Sequence, residues 1–198
     1  MAEVEDRGSA IRVERLTTIP VGAKGYVKLE TNMGVTGWGE INNMDTKVAC
    51  ALAESLGEIV IGENPTRIGH LWQRMFRAHR NLRGGGFMLH VISAIDMALW
   101  DIAGKKLGVP VYQLLGGACR HRVFGFPTVG LNAVDHLEQC HALIDEGWPC
   151  LRLHAATALP DWARELHDAD PDPNNAFEPR ASIAATVEIL TELRTKLD

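Results

Sequence analysis

The sequence predicts an α+β fold. A domain built from a three-stranded antiparallel meander and a helical bundle is followed by two β/α units with parallel strands. Three observations carry this. Between residues 11 and 40, short runs of alternating apolar and polar residues are broken by glycine. From residue 46 to residue 107 the apolar residues recur at spacings of three and four. Beyond residue 120 the pattern becomes strand, helix, strand, polar loop, helix. The first period suits strands with one buried face, the second amphipathic helices. Strand–helix alternation implies parallel strands with helices packed outside them.

The elements follow in order. Residues 1–10, MAEVEDRGSA, read as a disordered polar tail. IRVERLTTI alternates as a strand, Pro20, Gly22 and Gly25 mark a loop, and YVKLET alternates again. Asn32-Met33-Gly34 makes a tight turn into VTGWGEI, the third strand. Residues 46–60 place Val48, Leu52, Leu56 and Ile59 on one helical stripe, and GENP breaks it. Thr66 is placed to cap the next helix, with Ile68, Leu71, Trp72, Met75 and Phe76 turned inward. The third helix, Met88–Leu107, buries Ile92, Ile95, Leu99 and Ile102, and Gly108 and Pro110 stop it. VYQLLGG is a short fourth helix or turn. Val123–Val129 is a strand candidate, and Asn132 is placed to cap VDHLEQCHALIDEG, which Gly147 ends. Cys150–His154 is a second short strand. A polar loop from Thr157 to Pro179 leads to the helix Ala181–Leu197, with Ile183, Val187, Leu190 and Leu193 as its apolar positions.

Composition narrows the function. Of 198 residues, 46% are hydrophobic, 23% charged and 6% aromatic, which is ordinary for a soluble globular chain. The net charge of −5, with no basic patch, argues against nucleic acid or an anionic membrane as partner. Cys50, Cys119, Cys140 and Cys150 form no CxxC pair, and no histidine stands at zinc-finger spacing, so they read as reduced thiols. MAEVEDRGSA has no apolar signal core and no run of about 18 apolar residues follows, which makes cytoplasmic the default location.

Few motifs carry chemistry. Gly37-Trp38-Gly39-Glu40 reads as a structural strand end, with glycine supplying backbone freedom and tryptophan buried area. Arg83-Gly84-Gly85-Gly86 lacks the GxxxxGK[ST] arrangement of a phosphate loop and reads as a helix–helix link. Asp96 and Asp101 lie five apart on one helix, which suits packing or ion pairing better than an acid/base pair. His70, His79, His90, His121, His136, His141 and His167 are scattered and read as surface or packing residues. Arg152 and His154 alternate with Leu151 and Leu153, so they share one strand face. At the C-terminal end of a parallel-barrel strand such a face points into an active-site mouth; the other reading is a solvated strand end.

Three segments, YVKLETNMGVTGWGE, SAIDMALWDIAGKKLGVPVYQLLGG and the strand–helix–strand after them, resemble the enolase superfamily in its mandelate racemase / muconate lactonizing enzyme branch. The resemblance implies an α+β capping domain over residues 11–120, followed at 121–198 by the first two β/α units of an incomplete (β/α)-barrel. It implies a small acid-sugar substrate, Mg²⁺ and abstraction of the proton α to a carboxylate, most often by a Lys or His base. A sugar-acid dehydratase leads, with a racemase or epimerase as alternative.

In that family the loop between the first two strands closes over the substrate. Here it is Pro20–Lys24, which makes Val21, Gly22, Ala23 and Lys24 candidate substrate-binding residues; Asn42 and Asn43 would face the pocket mouth. Where the family often has Lys-x-Lys, this chain has Arg152-Leu153-His154. Arginine stays protonated, so Arg152 suits holding a carboxylate, while His154 suits a base or hydrogen-bond donor. That departure leans from a two-base racemase toward a dehydratase. Mannonate-dehydratase-like members tend to carry a histidine near the end of the first barrel strand, and Phe126-Pro127-Thr128 has none.

The family's metal ligands stand on the third to fifth barrel strands, so no metal ligand is assigned here, and Asp168, Asp170 and Asp172 read as solvated. A full barrel takes about 250 residues. The chain alone is therefore expected to be inactive. A homo-oligomer, a barrel-completing second chain (a split enzyme) and a non-catalytic truncated fragment remain open alternatives.

Overall fold

The structure is a computed structural model that describes residues 9–42, 44–78, 85–131, 135–154 and 179–197. Asn43, His79, Asn132, His167, Asp168, Asp170 and Asp172 lie outside the described residues, as do Arg83 and Gly84 of the glycine-rich link and most of the 157–179 loop. The chain divides into two compact units, Met1–Cys119 and Arg120–Asp198.

In the first unit, strands β1 (Val13–Val21), β2 (Lys24–Thr31) and β3 (Thr36–Ile41) form an antiparallel sheet in the order β1-β2-β3. The central strand alternates as a half-buried strand should: Gly25, Val27, Leu29 and Thr31 point into the core. The expected loop at Pro20–Lys24 shrinks to a two-residue turn. Pro20 stays inside β1, paired with Gly25, because β1 is an edge strand and loses no ladder bond to a missing N–H. Gly22, at φ +56°, provides the left-handed backbone that so short a turn needs. The tight turn at Asn32–Gly34 forms as expected, with Gly34 at φ +72°.

Helix α1 (Thr46–Val60) starts at Asp45, whose Oδ1 accepts from the backbone N–H groups of Lys47 and Val48, both at 3.0 Å. Its buried face is Ala49, Ala53, Leu56, Gly57 and Val60; of the expected stripe Leu56 is buried and Leu52 and Ile59 pack against the core, whereas Val48 is exposed. The cause is close approach: a Cβ on Gly57 would sit 3.0 Å from Leu16 of β1, so this helix docks through small residues. Ahead of α2 (Ile68–Ala78), the Thr66 hydroxyl donates to Asn64 and forms part of a turn. Asn64 is buried, and its Oδ1 accepts from the Thr66 N–H at 2.9 Å and the Thr66 hydroxyl at 2.8 Å. Leu71 and Met75 of α2 are buried, with Ile68, Trp72 and Phe76 packed beside them as expected.

Helix α3 (Gly86–Leu107) is the spine of this unit. Ile92, Ile95, Leu99 and Ile102 are fully buried, each contributing about 1.5–3 kcal/mol of apolar transfer. Gly108, at φ +68°, ends the helix, its N–H turned back to Gly104 and Lys105 carbonyls. By length and composition α3 could cross a membrane; its apolar residues instead form the core of this unit. A short helix α4 (Val111–Leu114) follows.

The glycines of Gly37-Trp38-Gly39 explain how α3 meets the sheet. A Cβ at Gly37 would lie 2.0 Å from the Ala98 carbonyl oxygen, and one at Gly39 would lie 1.9 Å from that of Ala94. The strand therefore lies directly on the helix backbone. Asp101 fastens the contact: its Oδ2 accepts from the Trp38 N–H at 2.9 Å and from Lys105 at 2.7 Å, while Lys105 also donates to the Thr36 carbonyl. Asp101 is thus a packing and ion-pairing group, as the spacing predicts.

In the second unit, β4 (Thr128–Gly130) and β5 (Arg152–His154) pair in parallel, with helices α5 (His136–Asp145) and α6 (Pro179–Lys196). Val129, Leu131, Cys140 and Leu193 form the core, joined by Leu137, Leu143, Leu151, Leu153, Ala185, Ile189 and Leu197. Two expectations are corrected. The strand predicted over Val123–Val129 is only three residues long, because residues 123–126 find no ladder partner and Phe124 is 88% exposed. The inward face of α6 runs through Ser182, Ala185, Ile189 and Leu193; Ile183, Val187 and Leu190 are exposed. Described cysteines are all unpaired; Cys140 is buried, and burial pushes its thiol up.

Candidate functional site

Each unit presents one cluster of chemistry. In the first unit, the β1–β2 turn and the end of β3 lie side by side. Lys24 donates to Glu40 Oε1 at 2.8 Å. That hydrogen bond is the leading cause of two opposite shifts: the Lys24 ammonium is held above its usual range and the Glu40 carboxyl below its own. The Thr46 hydroxyl donates to the Gly22 carbonyl at 3.2 Å, tying the turn to the start of α1. So Gly22 and Lys24 of the predicted substrate loop are pinned from two sides, whereas Val21 is 56% exposed.

Asn42 follows β3 and lines a groove of about 410 Å³ together with Glu40, Gly86, Leu89, His90 and Ser93. The sequence reading did not connect Glu40, His90 and Ser93. They lie about fifty residues apart in the chain, and the close packing of Gly39 on Ala94 brings the first turns of α3 beside the end of β3. The only sequence signal for that approach is the Gly-x-Gly of β3. Elsewhere on α3, burial raises the Asp96 carboxyl, and a hydrogen bond with Trp100 opposes the shift.

In the second unit, Arg152 and His154 flank Leu153 on β5. Leu153 turns into the core while Arg152 and His154 are exposed on the other face. The parallel register sets Thr128 opposite Arg152 and Gly130 opposite His154, so the neighbouring strand adds a small side chain and none at all. The backbone is fixed on both sides: Arg152 N–H donates to the Pro127 carbonyl at 2.9 Å, and Leu131 N–H donates to the His154 carbonyl at 3.2 Å. A guanidinium and an imidazole on one open face can bind a carboxylate and move a proton. Among the described residues no three of His, Cys, Asp and Glu come close enough together to hold a metal ion.

The first unit's three-stranded meander, packed on a long spine helix and followed by parallel β/α units, defines the capping-domain architecture of the enolase superfamily. Residues 14–116, just over half of the chain, match the family described as mandelate racemase / muconate lactonizing enzyme, N-terminal domain, and the chain belongs to that family. A D-galactonate dehydratase of Variovorax paradoxus is 40% identical over 153 residues, covering 75% of this chain and 40% of its own length. An enolase from Pantoea ananatis, solved with bound D-gluconate and Mg, is 32% identical with a TM-score of 0.64, covering 73% of this chain and 36% of that one. A mandelate racemase/muconate lactonizing enzyme-like protein from Rubrobacter xylanophilus shares the fold at 24% identity. Its TM-score is 0.75, and the match covers 96% of this chain and 52% of that one. The chain thus spans about two fifths of the length of the Variovorax relative.

Proposed function

We propose that this chain forms the capping domain and the first two β/α units of an acid-sugar dehydratase acting on a D-galactonate-like aldonate. The observation that carries the reading is the β5 pair, Arg152 and His154, exposed on one face of a fixed strand in a chain 40% identical to a D-galactonate dehydratase. Arg152 holds the substrate carboxylate through paired N–H donors, the geometry a guanidinium offers and an ammonium does not. His154 takes or returns a proton at an imidazole nitrogen. Overall the C2–H and C3–O bonds break, the proton and hydroxyl leave as water, and the resulting enol tautomerises to the 2-keto-3-deoxy acid. No step is assigned to Mg²⁺, because the described residues do not gather its ligands. The reading therefore concerns the chain joined by the rest of a barrel, in a cytoplasmic enzyme.

The test mixes the full chain with the part of the Variovorax relative that follows the matched region, and measures keto-acid formation from D-galactonate with Mg²⁺ present. Turnover should need both parts and should fall about tenfold to a hundredfold with Arg152→Met, as expected when a charge-assisted carboxylate contact is lost. Unchanged kinetics in that variant would remove Arg152 from the site. Turnover by this chain alone would show that a metal site lies within it. Formation of an epimer instead of keto acid would establish the racemase alternative.

A further inference from the structure

We propose that the outer face of α2 binds a small molecule carrying two or three adjacent phosphoryl groups. This goes beyond the acid-sugar reading and does not depend on it. The first observation is a segregation of charge. Residues 64–95 hold five arginines, three histidines and no aspartate or glutamate, in a chain whose net charge is −5. Of these, His79, Arg80 and Arg83 lie outside the described residues, and none of them adds negative charge. The second observation is where the described part of that run stands. Leu71 and Met75 turn α2 into the core, which leaves His70, Gln73, Arg74 and Arg77 exposed together at spacings of three and four. These four side chains, with Ile59 and Ala78 as apolar walls, line a groove of about 400 Å³, within the range of small-molecule sites.

The lining selects an oxyanion. Two guanidinium groups, an imidazole and a side-chain amide all offer N–H donors, and no carboxylate is among the described lining residues. Guanidinium forks match phosphate oxygens in pairs. Arg74 is partly committed, because it donates to Glu63. On α1, Glu54 is turned to the Thr18 hydroxyl, which donates to it at 2.7 Å, and Glu58 makes no ion pair with these cations. Among the described residues, His70 and Arg77 therefore have no carboxylate partner. The spacing sets the length of the ligand. His70 and Arg77 stand seven residues apart, about 10.5 Å along the helix axis, with Arg74 between them. One phosphate reaches only part of that stripe, whereas a row of two or three runs along it.

The experiment titrates the 198-residue chain with tripolyphosphate and, separately, with inorganic phosphate at matched ionic strength. Binding is read by NMR at the His70 ring, the Gln73 side-chain amide and the Arg77 guanidinium. Tripolyphosphate should saturate these signals with a Kd below about 1 mM, at least about tenfold tighter than inorganic phosphate. The double variant H70A/R77A should weaken tripolyphosphate binding at least about tenfold. Arg77→Lys on its own, which keeps the charge and loses the fork, should weaken it less. Glu63→Gln releases Arg74 and should tighten binding about two- to fivefold, the scale of an exposed ion pair. Far-UV circular dichroism confirms that the variants fold. Equal affinity for the two anions overturns the site. So do shifts of equal size at the exposed Lys47 and Arg194, which would mean general charge screening, and so does unchanged affinity in H70A/R77A.

Discussion

Replacing Gly39 with alanine tests the close approach of β3 to the backbone of α3. The added methyl would sit 1.9 Å from the Ala94 carbonyl oxygen, whereas a close but tolerated carbon–oxygen contact is about 3.3 Å. The gap must open by about 1.4 Å, and the atom in the way belongs to a helix backbone rather than to a flexible side chain. Moving α3 loosens Ile95, Leu99 and Ile102 together, and a gap of 0.5–1 Å already forfeits about a quarter to a half of each dispersion contact. Overpacking of this kind costs about 1–3 kcal/mol when side chains can adjust; with the helix displaced we expect about 3–5 kcal/mol. Against a total stability of about 5–15 kcal/mol, the capping unit should unfold at least about 12 °C earlier. The assay is thermal and urea unfolding followed by fluorescence of Trp38, Trp72 and Trp100. Gly22→Ala serves as control: its φ is +56° but nothing lies within 4 Å, so it should cost only about 1 kcal/mol of backbone strain. A Gly39→Ala loss no greater than that of Gly22→Ala would refute the argument.

Asp45→Ala removes the acceptor for two N–H groups of α1 and should cost about 1 kcal/mol, read as a lower urea midpoint. In the second unit, Leu193→Ala should cost about 2–5 kcal/mol while Val187→Lys stays within about 0.5 kcal/mol. Equal costs in urea titrations would mean that the inward face of α6 is misassigned. The Lys24–Glu40 pair predicts a pH dependence on both flanks. Glu40 is lowered, so its contribution is present above the ordinary carboxylate range and lost as pH falls through its depressed value. Lys24 is raised, so its contribution is present below the ordinary lysine range and lost as pH rises through its elevated value. Both groups are exposed enough that the effect on overall stability is small, and Glu40→Gln should be visible instead as a Lys24 titration shifted to lower pH by NMR.

The spine helix was legible because four large apolar residues, Ile92, Ile95, Leu99 and Ile102, repeat at helical spacing and Gly108 stops them. The stripe of α6 was misread at Ile183, Val187 and Leu190, and that of α1 only at Val48. In both the choice followed the bulkiest residues, whereas docking also used Ala49, Ala53 and Gly57 in one helix and Ser182 and Ala185 in the other. A short distance between backbones selects small residues, and that distance is set by partners far away in sequence. Residues 123–126 were read as strand because Val123 and Phe124 have strand propensity, but propensity supplies no ladder partner. The shared face of Arg152 and His154 needed only the two-residue period of a strand. The groove at Glu40, Asn42, His90 and Ser93 needed the fold itself.

The contact of β3 with α3 behaves like two rulers with nearly equal divisions. Two residues of strand, Gly37 to Gly39, advance about 6.6 Å; the matching four residues of helix, Ala98 back to Ala94, advance about 6.0 Å. The marks coincide for one step only. A third would set residue 41 against residue 90, and there the strand carries Ile41, whose side chain is buried in the core. The glycine pair thus marks the stretch of β3 that can lie directly on the helix backbone.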